Sequence, residues 1–250
     1  MLKELIEYEV HSFDSFLKNY EDLYAEIDKS CTKLVEIGFY LNDRIFKKTK
    51  FPAYGEMLLI MNEWLVGANL RFILRDYDQG MSLLRMAAEQ SRDLCVLLKE
   101  PLYFYLWKRY RTARSGLDDI DQKKFKKLFK FDLGTTPAIE VKKLYDHASE
   151  YGIHGSGIFT NVYKKLPPST AHLRLNEPLR GLMYMPMFIR DAIQPFLYDH
   201  ASLIEGEFNT SFEEFIMDLD LRFSIISANS LIAFQGLSSF SEDKSTKSYL

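Results

Sequence analysis

At 250 residues, with 47% hydrophobic and 27% charged side chains, the chain has the make-up of a folded globular protein, not of a disordered segment. A formal net charge of −3 gives no global reason to expect nucleic acid or an acidic membrane surface. Two cysteines, Cys31 and Cys95, each set in a helical apolar pattern, exclude a disulfide scaffold and suit a reducing cytoplasm.

The N-terminal Met1-Leu-Lys-Glu-Leu-Ile-Glu carries acidic residues where a signal peptide needs an uninterrupted apolar run. From there Phe13, Phe16, Leu17, Tyr20, Leu23, Tyr24, Ile27, Cys31, Leu34 and Val35 step by threes and fours, so a long helix is expected, ending near Lys48. A second, from about Tyr54 to Asp76, is apolar all round and therefore central. A third runs from Met81 to Lys99, and an aromatic, basic fourth from Leu102 to Arg114. Ser115-Gly116 breaks that pattern, and a short basic helix follows from Asp118 to Phe131. Thr136-Pro137 starts a helix that should stop at Gly152, since proline is tolerated in a first turn. The last stretches cover Glu177 to Glu205, interrupted by Pro186 and Pro195, and Ser211 to Phe234. No stretch alternates with a period of two.

The expected fold is all-α: a multi-helix bundle of about seven to eight helices around one main core, a single domain over 1–240, with a flexible polar tail over 241–250. The longest uncharged stretch, Phe223 to Ser241, is too rich in serine to span a bilayer, so a soluble cytoplasmic protein is expected. The hexapeptide Leu-Tyr-Asp-His-Ala-Ser occurs at Leu144–Ser149 and again at Leu197–Ser202. Its flanks do not align, so it reads as two helices meeting a similar packing problem.

Four places could carry chemistry. Arg85 and Glu89 sit four apart among Leu83, Leu84, Met86, Ala87 and Ala88, either as a solvated ion pair or as a partly buried one. His154 follows a helix end in a glycine-rich turn, with Tyr145, Ser149 and Ser156 close in sequence. It serves there either as a helix C-cap or as an acid, base or phosphate ligand. Asp146-His147 and Asp199-His200 are candidate metal ligands in type only. Adjacent residues point about 100° apart on a helix, and the Glu-x-x-His spacing of di-iron bundles is absent. No metal or other cofactor is therefore expected.

The fourth is a basic stretch of Lys108, Arg109, Arg111, Arg114, Lys123, Lys124, Lys126, Lys127 and Lys130, with three Asp among its nine cations. Tyr110, Phe125, Phe129 and Phe131 are interleaved. Such a mix suits phosphates and stacked bases, and equally suits an amphipathic helix with lysines outward. A run of Met183, Tyr184, Met185, Met187 and Phe188 could line a small-ligand pocket, or be core. Glycine-rich phosphate loops, Gly-x-Ser-x-Gly, His-Glu-x-x-His and Cys-x-x-Cys are missing.

Leu84-Arg85-x-x-x-Glu89 followed by Tyr145-x-x-x-Ser149-x-x-x-x-His154-x-Ser156 resembles a pattern in uncharacterised bacterial all-helical proteins. That group is similar in turn to HEPN-like and abortive-infection helical proteins. The resemblance covers roughly Leu65 to Gly157 and implies a helical fold more than an activity. Active HEPN ribonucleases carry Arg-x(4–6)-His on one helix, and no Arg here has a His at that distance downstream.

Two functions follow as expectations. The first is a non-enzymatic helical binding protein of a bacterial accessory or defence system, meeting a protein or a nucleic acid through Lys108, Arg109, Arg111, Arg114, Lys123, Lys124 and Lys127. The second is a HEPN-like nuclease with His154, Arg85, Glu89, Tyr145 and Ser149 in one polar pocket. No membrane partner is expected, and self-association stays open.

Overall fold

The computed structural model describes residues 2–74, 76–112, 119–154 and 175–245, with side chains at all but 2, 3, 5, 112, 119, 120, 151–154 and 238–245. The described residues form nine α-helices and no strand. In chain order these are α1 (Leu2–Arg44), α2 (Pro52–Ile73), α3 (Tyr77–Lys99), α4 (Phe104–Thr112), α5 (Asp119–Leu128), α6 (Thr136–His154), α7 (Asn176–Tyr198), α8 (Ala201–Phe208) and α9 (Phe212–Ser245). Short 3-10 turns at Phe46–Lys48 and Pro101–Tyr103 follow α1 and precede α4. The first helix is bent at Tyr20, whose φ of −144° and ψ of 40° are not helical.

Local chemistry sets several boundaries. Pro52 opens α2, where its missing N–H costs nothing. Asp76 caps α3 by accepting a bond from the Gln79 N–H at 3.4 Å. Asn209 closes α8 in the left-handed conformation at φ 50°, a position asparagine tolerates better than most residues.

α1, α2, α3, α7 and α9 each pack against the next, and α9 returns to α1. α6 lies against both α3 and α7. The central helix is α7, which touches α1, α2, α3, α6, α8 and α9. The buried apolar side chains form one continuous cluster. Two of the glycines show how closely the helices approach. A Cβ on Gly181 would come within 2.9 Å of the Leu65 and Leu84 side-chain methyls, so the bare position lets both leucines pack directly onto the α7 backbone. A Cβ on Gly55 would lie 2.1 Å from Asn42 Oδ1, which lets buried Asn42 of α1 press onto the α2 backbone.

Packing also overrides sequence signals. Pro186 and Pro195 do not interrupt α7, which runs through both. Each interior proline costs about 3 kcal/mol. Fully buried Leu182, Met185, Ile189, Ile193 and Leu197 on the same helix each return roughly 1.5–3 kcal/mol on burial, enough to hold it together. The break falls instead at Asp199-His200, and this split gives nine helices where seven to eight were expected.

At the other boundaries α6 passes Gly152 to His154, and α9 extends to Ser245, into the stretch read as a tail. The repeated hexapeptide adopts two structures. Leu144–Ser149 lies inside α6, whereas Leu197–Ser202 spans the break between α7 and α8, so the two copies do not meet one packing problem. No helix among the described residues is long and apolar enough to cross a membrane.

Candidate functional site

The third helix is buried over most of its surface, with Leu84, Ala87, Ala88, Gln90, Arg92, Asp93, Leu94, Cys95, Leu97 and Leu98 all inside, and reaches solvent mainly at Gln79, Met86 and Lys99. Arg85, Glu89, Arg92 and Asp93 recur at three- and four-residue steps and so share one side of it. Trp107 and Arg111 are four apart on α4, and Tyr145 and Ser149 four apart on α6. The four residues of α3 and these two pairs meet in one polar cluster.

Asp93 is its centre and is completely buried, at 0% exposure. Its Oδ1 accepts from Arg92 Nε at 2.9 Å and Nη2 at 2.6 Å. Its Oδ2 accepts from Trp107 Nε1 at 3.0 Å and Arg111 Nη2 at 2.5 Å. A buried carboxylate with four such donors is fully satisfied and ties α4 to α3. Glu89 Oε1 lies 3.5 Å from Arg92 Nη2 and 3.4 Å from Arg111 Nη2. Burial opposes the charged form of Arg111, but the Asp93 charge and hydrogen bond, with Glu89, outweigh it and raise the guanidinium above its usual value.

Tyr145 forms the other wall. The Arg85 and Arg92 guanidiniums each lie 5.8 Å from its ring centroid, and Arg92 is equally far from Phe131. Arg85 Nε donates to Ser149 Oγ at 3.1 Å. The structure therefore gathers Arg85, Glu89, Tyr145 and Ser149 in one neighbourhood, although no ion pair joins Arg85 to Glu89. Glu89 turns to Arg92 and Arg111 because Asp93 draws both arginines to that side. His154 is the last residue of α6 and its side chain lies outside the described residues, as do Ser156 and Arg114. Arg92, Asp93 and Trp107 were missed from sequence. The available signal was a row of charged residues at three- and four-residue steps on a helix otherwise rich in apolar and small residues.

The basic stretch separates into two kinds of residue. Arg111 is spent on Asp93 and Glu89, and Arg109 Nη1 lies 2.9 Å from Asp121 Oδ2, joining α4 to α5. Lys108 is exposed beside them. Lys123, Lys124, Lys126, Lys127 and Lys130 are exposed, and none forms an ion pair with a carboxylate among the described residues. Phe125 and Phe129 face inward at 3% exposure, stacked with each other at 4.2 Å, and Tyr110 stacks on Phe125 at 3.7 Å. Phe131 is engaged by Arg92, so these four rings are packing elements and not platforms for bases.

The remaining candidates take part in packing and in hydrogen-bonded or ion-paired contacts. Met185 and Phe188 are core, Tyr184 and Met187 pack on it, and the Met183 carbonyl accepts from Ser227 Oγ at 2.8 Å. His147 Nε2 lies 3.9 Å from Glu177 Oε1, in a network where Glu140 binds Lys143 and Arg180 between α6 and α7. His200 Nδ1 sits 2.8 Å from the Phe196 carbonyl oxygen and its ring stacks on Phe196 at 4.4 Å. Among the described residues no three His, Cys, Asp or Glu side chains are grouped to hold a metal ion. Burial lifts the Cys31 thiol to about 12 and the Cys95 thiol well above its ordinary value, as befits small core residues.

No protein-family model matches this chain, and no curated protein or solved structure matches it either.

Proposed function

We propose that this protein is a non-enzymatic helical binding protein and that its partner is a nucleic acid, met on the lysine face of α5. One observation carries the reading. Five exposed lysines over 123–130 have no carboxylate partner among the described residues, in a chain whose formal net charge is −3. Elsewhere most described lysines are paired, as with Lys29–Glu26, Lys33–Glu36, Lys47–Asp43 and Lys142–Asp146, and the exceptions, Lys18 and Lys50, stand far apart in the chain. A patch left unpaired in a balanced surface is a place for an external polyanion, and phosphates held this way release counterions.

The test is fluorescence anisotropy with labelled single-stranded RNA across a salt series. Wild-type affinity should fall with a log–log slope of roughly 2–3.5 in magnitude, as three to five phosphate contacts give. The triple variant Lys123→Gln/Lys127→Gln/Lys130→Gln should lose most of that binding. Absence of binding at low salt, or a variant that binds as well as wild type, sinks the reading.

A second reading, a HEPN-like nuclease, draws support from the convergence of Arg85, Glu89, Tyr145 and Ser149. It requires labelled RNA to be cut by wild type and spared by His154→Ala, with and without chelator. Intact RNA in every lane ends it.

A further inference from the structure

The polar cluster of α3, α4 and α6 is not electrically balanced. Three guanidiniums, Arg85, Arg92 and Arg111, face two carboxylates, Glu89 and Asp93. Both carboxylates are committed to Arg92 and Arg111, so the surplus positive charge belongs to Arg85. Its only hydrogen bond among the described residues runs from Nε to Ser149 Oγ, which leaves Nη1 and Nη2 without an acceptor there. Arg85 is half-buried between α3 and α6, with the Tyr145 ring beside it. A partly desolvated guanidinium with no counter-charge is an unfavourable arrangement unless an anion from outside completes it.

We propose that Arg85 and Ser149 form a binding site for a phosphoryl group, walled by Tyr145. Ser149 Oγ already accepts from Arg85, so its hydroxyl hydrogen is available to donate. Nη1, Nη2 and the Ser149 hydroxyl together offer three donor atoms. That number matches a tetrahedral phosphate face better than the two oxygens of a carboxylate. Glu89 and Asp93 do not repel the ligand as bare charges, because Arg92 and Arg111 neutralise them. The two arginines also hold Tyr145 and α4 in place, so the site is preorganised. It does not depend on the lysine face of α5.

Inorganic phosphate is titrated into the full chain at constant ionic strength, with chloride as the balancing salt, and followed by calorimetry and thermal shift. Wild type should bind and its Tm should rise with phosphate. Arg85→Gln should weaken binding roughly tenfold or more, as loss of charged hydrogen bonds does. Ser149→Ala should weaken it less, and serves if Arg85→Gln folds poorly. The triple lysine variant should bind phosphate as wild type does. No binding by wild type overturns the proposal, as does binding that survives both Arg85→Gln and Ser149→Ala, binding lost only in the lysine variant, or acetate binding as tightly as phosphate. Competition by a 5′-phosphorylated oligonucleotide, but not by its unphosphorylated twin, would name a nucleic-acid end as the source. Equal failure of both to compete would name free phosphate or a small phosphate ester.

Discussion

The polar stripe of α3 and the lysine face of α5 contain similar residue types and do opposite things with them. In the stripe of Arg85, Glu89, Arg92 and Asp93, Asp93 is fully buried and meets four donors, and every charge but Arg85 has a partner of opposite sign. On α5 and just beyond it, five lysines stand exposed with no partner among the described residues, above a stack of buried rings. Burial decides the difference. A charge without a counter-charge in the interior costs several kcal/mol, so α3 had to recruit partners from α4 and α6. At the surface water solvates the charge, and nothing in folding requires the lysines to be paired.

That contrast makes stability the first measurement. Asp93→Asn keeps the volume but removes the charge that holds Arg92 and Arg111, and turns a donor toward their guanidiniums. The expected loss is about 3–5 kcal/mol, read as a lower urea midpoint. An unchanged midpoint would show that the network does not hold the fold. Trp107→Phe removes a single donor and leaves Arg111 on the same oxygen, so it should cost less, about 1–2 kcal/mol. If it cost as much as Asp93→Asn, the anchoring of α4 would rest on the indole and not on the ion cluster.

The helices were legible in the sequence because their apolar residues recur with a helical period. Fold class followed from that periodicity, and most boundaries fell within a few residues. What failed was local grammar overruled by packing. The prolines of α7 signalled breaks, but the buried face around Met185 and Ile189 holds the helix through them.

The candidate site was half legible. Arg85 with Glu89, and Tyr145 with Ser149, could be put on common helix faces from spacing alone. That Glu89 faces Arg111, a residue 22 positions later, could not. Arg111 looked like one more member of a basic run, and only the three-dimensional path from α3 through the turn at Pro101–Tyr103 brings it onto Asp93. Spacing finds neighbours on one helix. It does not report which distant helix supplies the counter-charge.

The smallest stability effect is expected where the functional one is largest. In Lys123→Gln/Lys127→Gln/Lys130→Gln each side chain is exposed and unpaired, so its loss removes no packing and no ion pair among the described residues. Lys123 and Lys127 stand four apart on α5, and like charges at that spacing destabilise a helix by roughly 0.2–0.5 kcal/mol per pair, whereas Lys130 lies beyond its end. The urea midpoint of the triple variant should therefore stay level or rise slightly, while its RNA affinity collapses. A face that opposes folding, yet is needed for binding, is what a binding function predicts. If the midpoint fell by more than about 1 kcal/mol, the lysines would be part of the scaffold after all, and the distinction between the two helices would be lost.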